Sequence, residues 1–410
     1  MTSYYRIEEV CKIKGGKRIP QGETLQSNKN SHPYIRILDM YQGRILNISK
    51  DMMYAKEKYW NKISSYIVNS GDVILAIVGN TLGMVSIIGD SLDKANLTEN
   101  CCKFVDLDTE KVLPLFLYYS LKAPLNQKQI NIFKVGSSQP KLPIYNVNKL
   151  LIPKFTIDIQ EKIISLLAAI DSKIEINNKV NAELEAMAKT IYDYWFLQFE
   201  FPNDEGKPYK SSGGKMVWNE ELKREIPEGW EVINIGAITV CHDSSRVPIA
   251  DKIRKERTGK YPYYGATGIM DYIDDYIFDG DYVLMAEDGS IMNDSGKPIL
   301  QRVHGKVWVN NHAHVLEPKR SYTCKLLQLL LKDVDVMKIK TGSIQMKISQ
   351  YSMNNITIPN IPEKLIKKIN TQLEMIDKEQ LRLNMENQEL TLLREFLLPL
   401  LMNGQVGFKE

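Results

Sequence analysis

The segment Val135–Lys154, VGSSQPKLPIYNVNKLLIPK, is written a second time 206 residues later as Thr341–Asn360, TGSIQMKISQYSMNNITIPN. Without a gap, Gly136, Ser137, Gln139, Lys141, Tyr145, Asn148, Ile152 and Pro153 return as Gly342, Ser343, Gln345, Lys347, Tyr351, Asn354, Ile358 and Pro359. The correspondence runs on through Lys162, Ile163, Leu167, Ile170, Asp171, Asn178, Asn181, Glu183 and Leu184, so that 17 of the 49 positions from Gly136 to Leu184 are identical. A period this long means duplicated domains, not a solenoid of short units. A chain of 410 residues is also too long for one ordinary core.

The second part of each copy carries heptads. Ile163, Leu167, Ile170, Asn181 and Leu184 fall on a frame that steps by fours and threes through Ile174 and Asn177 in the first, and Ile369, Leu373, Ile376, Asn387 and Leu390 fall on the same frame through Gln380 and Leu383 in the second. Such a seam calls for a partner helix. Two helices of about 36–40 residues would be about 55–60 Å long, and pairing them with each other is the economical solution. Asn181 and Asn387 hold the same heptad position. In an antiparallel pair they meet near the centre as a register-setting amide pair, or else they stand as two separate solvated residues. Pro153 and Pro362 lie just upstream of the helices, and Pro399 is expected to stop the second one.

Each helix is preceded by a stretch rich in strand-like runs, among them Val73–Val78, Lys103–Leu107, Tyr282–Met285 and Lys306–Val309. The copies share anchors: SYYRIEEVCKI against IPEGWEVINIGAI at their starts, and Gly71-Asp72-Val73-Ile74-Leu75 against Gly280-Asp281-Tyr282-Val283-Leu284. Between the anchors they share little, as expected of related recognition domains with different targets. The expected fold is α+β: β-rich domains at 1–155 and 228–361, long helices at 156–198 and 362–402, a Gly/Ser/Lys/Pro-marked connector at 199–227, and a tail at 403–410.

Composition narrows the function. No apolar run approaches the roughly 20 residues of a membrane span and no signal-peptide core opens the chain, so a cytoplasmic location is expected. Five cysteines form no CxxC pair and suggest buried reduced thiols. The net charge is only +3, but residues 1–150 hold 20 Lys and Arg against 13 Asp and Glu, which hints at a polyanionic partner.

No catalytic motif emerges. There is no GxxxxGK[ST], HExxH or G-x-S-x-G. Glu287 and Asp288, in a Gly turn, could be metal-nuclease acids, a polar turn, or acceptors for a cytosine amino group. His312 and His314 alternate on one strand face, as a metal pair or as ordinary polar groups. What the sequence does offer are loops rich in phosphate-holding and base-reading residues. The first domain has Lys14, Lys17, Arg18, Asn28, Lys29, Asn30, Tyr34, Arg36, Arg44, Lys56, Lys58, Tyr59 and Lys62; the second has Ser244, Ser245, Arg246, Arg254, Lys255, Arg257, Lys260, Tyr261, Tyr263 and Tyr264. Arg and Lys hold phosphates and read guanine, and Asn and Gln pair with adenine. In the repeated segment, Ser137, Gln139 and Lys141, with Lys347 opposite, serve either turn packing or a DNA-backbone contact common to both halves.

The order of these parts resembles the specificity (S) subunit of type I restriction–modification enzymes. The resemblance is carried by Gly136–Pro153, by EFPNDEGKPYKSSGGKMVWNEELKREIPEGW and by YYGATGIMDYIDDYIFDGDYVLMAEDG. It implies two target-recognition domains that each read half of a bipartite, asymmetric duplex target, held by an antiparallel coiled coil that sets the spacer. It also implies two methyltransferase subunits that methylate adenine at N6 with S-adenosylmethionine, and restriction (motor-nuclease) subunits that use ATP and Mg²⁺. This chain would itself be non-catalytic and carry no cofactor or metal. The second helix departs from the usual start, with Lys364 where the family often has Gln. Rival readings are a specificity subunit of a fused methyltransferase–nuclease system, a nuclease built on Glu287 and Asp288, and an adaptor that never touches DNA.

Overall fold

The computed structural model describes residues 3–342 and 346–407. Ser343 and Gln345 of the repeat lie outside them. The chain divides into two compact units, residues 1–176 with 386–410, and residues 177–385.

In the first unit a five-stranded sheet runs in the order Lys12–Gly15, Cys101–Val105, Val73–Ala76, Val85–Ile88, Ile45–Leu46, antiparallel except for its last pair. The central strand explains how two cores form from four residues. Side chains alternate across a strand, so Val73 and Leu75 enter one apolar cluster and Ile74 and Ala76 enter another. The first cluster is roofed by the helix Pro114–Lys122 and includes Ile163 and Leu167 of the first long helix and Leu398, Leu401 and Met402 of the second. The seam residues therefore bind their own domain as well as the partner helix.

The second unit repeats the plan with a six-stranded sheet in the order Thr239–Cys241, Ala313–Pro318, Phe278–Ala286, Leu300–Val309, Thr258–Tyr264, Ile269–Ile273. Val283 and Met285 face the core that holds Ile369, Leu373 and Ile376, and Leu284 faces the opposite cluster. Ile369 and Leu373 are fully buried, so truncating either to Ala would cost about 2–5 kcal/mol.

The long helices span Ile157–Tyr192 and Glu363–Met402. Within the first unit Lys173 pairs with Glu386 (3.3 Å) and Asp171 with Arg394 (2.8 Å). Within the second, Asn181 donates to Asn384 (2.9 Å) and Gln380 donates to Glu185 (3.2 Å). In each unit one helix ascends as the other descends, so the pairing is antiparallel. Asn181 reaches Asn384 in a contact that is exposed. Pro399 does not end its helix. It sits inside the last turn, where its carbonyl accepts from Asn403 N at 3.0 Å.

Ile152 and Pro153 do not lead directly into a helix. Strand Leu151–Pro153 pairs with Tyr4–Arg6 in the register Tyr4 to Pro153, and Thr357–Pro359 pairs with Val232–Asn234 in the register Val232 to Pro359. Each domain is thus closed by pairing its first strand with its last. Residues 199–227 are more ordered than a connector. They hold the hairpin Met216–Asn219 with Arg224–Pro227, and Phe201 stacks on Trp230 (5.3 Å) and on Tyr209 (4.7 Å). All five cysteines are free: four are buried and Cys241 is half-buried. No helix among the described residues is long and apolar enough to cross a membrane.

Candidate nucleic-acid interface

In the first unit the basic loop is launched by Gly16. A Cβ there would lie 2.0 Å from the Thr98 carbonyl oxygen, so only glycine passes. Gly16 N donates to Cys101 O (3.0 Å) and Lys17 N to Leu97 O (2.8 Å), which leaves the Lys17 and Arg18 side chains exposed. Tyr34 is buried; its hydroxyl donates to Lys17 O (2.8 Å) and burial pushes its pKa up to about 12. It props the loop and is not available to a base. Tyr59 supports the same loop by donating to Thr24 O (3.1 Å).

The candidate residues divide into two groups. Asn30 donates to Ala55 O (2.7 Å), Arg36 clasps Asp39 (2.9 Å) and Asp51 O (3.0 Å), and Arg44 binds Glu175 (3.2 Å) and Ser172 (3.1 Å). Lys56 donates to Thr24 (2.8 Å) and Lys58 pairs with Glu23 (2.7 Å). These are committed to internal partners. Lys14, Lys17, Arg18, Asn28, Lys29, Lys62 and Lys141 are exposed, with Lys17 over the Tyr66 ring (5.5 Å) and Arg18 only loosely near Glu99 (3.5 Å).

In the second unit most of the guanidinium groups are likewise spoken for. Arg254 lies over buried Tyr263 (5.0 Å) and pairs with Asp251 (3.0 Å), while the Tyr263 hydroxyl accepts from Ile249 N (3.0 Å). Arg257 pairs with Asp274 (2.7 Å) over Trp308 (5.1 Å). Lys255 pairs with Asp251 (2.6 Å), and Tyr264 is half-buried, with burial pushing its pKa up to about 12. Ser244 and Ser245 are exposed. Outward-facing chemistry gathers on one ladder: Lys260 over Tyr261 (5.3 Å), Tyr261 against Tyr276 (5.1 Å), and Lys306 over Tyr276 (4.6 Å). Alternating cations and aromatic faces suit phosphates and bases. Sequence reading found Lys260 and Tyr261 but missed Tyr276 and Lys306: Lys306 comes beside Tyr261 through the parallel pairing of Thr258–Tyr264 with Leu300–Val309, and Tyr276 from the loop after Ile269–Ile273.

Glu287 is held in ion pairs and Asp288 in a hydrogen bond. Glu287 is gripped by Arg246 (2.6 Å) and Lys347 (2.8 Å), and Asp288 by His312 (2.5 Å). Burial raises the Glu287 carboxyl, but hydrogen bonds from Lys347 and Arg246 outweigh it and hold the group below its ordinary value. A divalent metal would have to displace two cations here. Cys241, Asp243 and His314 bring three ligand-type atoms within 4.8 Å of one another. Their chemistry does not suit a metal. Burial pushes the Cys241 thiol up to about 12, so a metal would have to displace its proton, and Arg246 already neutralises Asp243 (3.4 Å). His314 Nδ1 faces Asp243 (2.5 Å) and Nε2 faces Ile348 O (2.9 Å), so both nitrogens are engaged.

A family profile described as the type I restriction modification DNA specificity domain matches residues 2–186 and again 227–391, one copy on each duplicated half. The chain belongs to this family. Among curated specificity-domain proteins it is similar to the type I restriction enzyme MjaIX specificity subunit of Methanocaldococcus jannaschii, at 24% identity over 99% of this chain and 93% of that one. It also matches the MjaVIII specificity subunit of the same organism, at 25% identity over 45% of this chain and 43% of the relative. The crystal structure of a type I S subunit from M. genitalium aligns with a TM-score of 0.54 and 18% identity, covering 98% of this chain and 96% of that one, a likeness of fold.

Proposed function

We propose that this chain is the sequence-recognition subunit of a type I restriction–modification complex, each β-rich domain reading one half of a bipartite, asymmetric duplex target. The observation that carries the reading is the duplication itself. Both domains share a frame, closing strands and helix, yet they present different chemistry: the exposed cations Lys14, Lys17, Arg18, Lys29 and Lys62 in one, and the Lys260–Tyr261–Tyr276–Lys306 ladder in the other. Unlike reading faces on one frame suit unlike half-sites.

On this reading the chain is not the catalyst and needs no cofactor. Methyltransferase subunits supply adenine N6 methylation with S-adenosylmethionine, and restriction subunits supply ATP- and Mg²⁺-dependent cleavage. The commitment of Glu287 and Asp288 to Arg246, Lys347 and His312 supports this against a nuclease. The test is duplex binding as a function of salt. A recognition subunit binds duplex DNA with a steep negative slope of log K against log salt; an adaptor protein shows no duplex binding.

A further inference from the structure

The residues that recur at the 206-residue offset do not all have the same job. Ile152 and Ile358 are buried, and Pro153 and Pro359 sit in the closing strand pairs. Asn354 packs against Gly236, whose Cβ would lie 3.0 Å from it. Gly136 and Gly342 have φ near +84° and +78°, which explains glycine at both. Each of these is retained for the fold.

Two repeated positions are exposed in both halves. Tyr145 is 62% exposed and Tyr351 is 79% exposed, so neither tyrosine is needed for packing. Lys141 is exposed and has no ion pair among the described residues, and Lys347 is exposed even while pairing with Glu287. Both halves hold the lysine in the same way. Its backbone bridges to the turn after the central strand, Val78 to Lys141 in one half and Asp288 to Lys347 in the other, and a short helix carrying the tyrosine follows. In the first half Lys149 adds a cation 5.5 Å from the Tyr145 ring centre.

We propose that Lys141 with Tyr145, and Lys347 with Tyr351, form a contact to the sugar–phosphate backbone that each half carries in the same form. This rests on the recognition function proposed above. Domains that read unlike sequences can share only what does not depend on sequence, and an exposed ammonium four residues before an exposed phenol hydroxyl supplies two donors for phosphate oxygens. The exposed, repeated pair lies beside the strand-end turn of each domain and outside the loops that differ between them.

The test uses the full chain with three changes, Lys141→Ala, Tyr145→Ala and Tyr351→Ala. Lys347 is left in place because its removal would also unpair Glu287. Binding to fluorescent duplexes is measured across salt for the target, for each half-site scrambled, and for an unrelated sequence. The proposal predicts affinity about tenfold weaker on every duplex. It also predicts a salt slope shallower by about one, an unchanged melting temperature, and a methylated motif of unchanged sequence. Unchanged affinity on all duplexes overturns it. So does a loss of preference at one half-site alone, or lost co-elution with the methyltransferase subunit while DNA affinity stays intact, which would make the pair a protein-docking surface. If the unaltered chain does not bind duplex at all, it is the recognition function that fails.

Discussion

Gln160 and Asn370 fasten the two long helices to the same place on their respective domains, although they are not repeat equivalents. Buried Gln160 accepts from Leu113 N (3.0 Å) and donates to Lys111 O (2.7 Å), just before the helix Pro114–Lys122. Asn370 donates to Ser321 O (2.6 Å) and accepts from Thr323 (3.2 Å), just before Cys324–Leu331. The true counterpart of Gln160 is the apolar, buried Ile366, and the amide has moved one turn along. Gln160→Leu should leave a buried N–H and carbonyl unpaired and cost about 2–3 kcal/mol. Urea unfolding should register it as a lower midpoint with unchanged slope. A neutral result would mean that the helix is held by apolar contacts alone.

The second domain should be acid-sensitive through its buried carboxylates. Burial raises Asp243, but hydrogen bonds from His314 and Cys241 and the charge of Arg246 prevail, and Asp243, like Glu287, ends below its ordinary value. A depressed folded-state value means that the stabilisation is fully present above the unfolded carboxylate pKa, near 4, and is lost as pH falls through the folded one. Glu287→Gln should cost about 2–3 kcal/mol at neutral pH, because it leaves Lys347 without its anion and Arg246 with Asp243 alone. It should also flatten the loss of stability below about pH 4. Parallel acid profiles for the two proteins would assign the acid sensitivity elsewhere.

The Lys260–Tyr261–Tyr276–Lys306 ladder should serve one half-site only. Tyr261→Ala with Tyr276→Ala should relax or alter the methylated sequence on one side of the gap, with the other side unchanged, as read by single-molecule methylome sequencing. Stacking of this kind is worth about 1–3 kcal/mol per base. Alteration on both sides would mean that the ladder acts on the fold and not on the DNA.

The Asn181–Asn384 contact is exposed, so it should contribute little. Replacing both with Leu should change stability by less than about 1 kcal/mol. A loss of several kcal/mol in thermal melts would restore a register-setting role.

The architecture was legible because duplication leaves a mark that composition cannot hide. The heptads located both helices to within a few residues, and Val73–Val78 and Tyr282–Met285 read as strands because both faces of the strand are apolar. The helix register was less legible. Shared heptad position does not name a partner: Asn181 reaches Asn384, and contacts from outside the heptads, such as Arg302 holding Asp377 at 3.0 Å, fasten the helix to its domain. The interface was legible only in part. Basic residues can be counted from sequence, but Arg36, Arg44, Arg246 and Arg254 prove to have acidic partners 2.6–3.2 Å away. Some partners lie far off in the chain, Glu175 at Arg44 and Glu287 at Arg246, and no local pattern announces them. Residues 199–227 misled for a related reason: their Gly and Ser sit in turns at 203–206 and 210–214 ahead of the hairpin, in a segment packed through Phe199, Phe201 and Trp230.

The central claim is that one chain reads two unlike half-sites. The direct measurement is methylome sequencing of cells that co-express this chain with its methyltransferase subunit, compared with cells that have the methyltransferase alone. The account predicts N6-methyladenine in one bipartite, asymmetric motif with a fixed gap, present only when the chain is present. Methylation at a contiguous or palindromic motif, or the same motif without this chain, would contradict it.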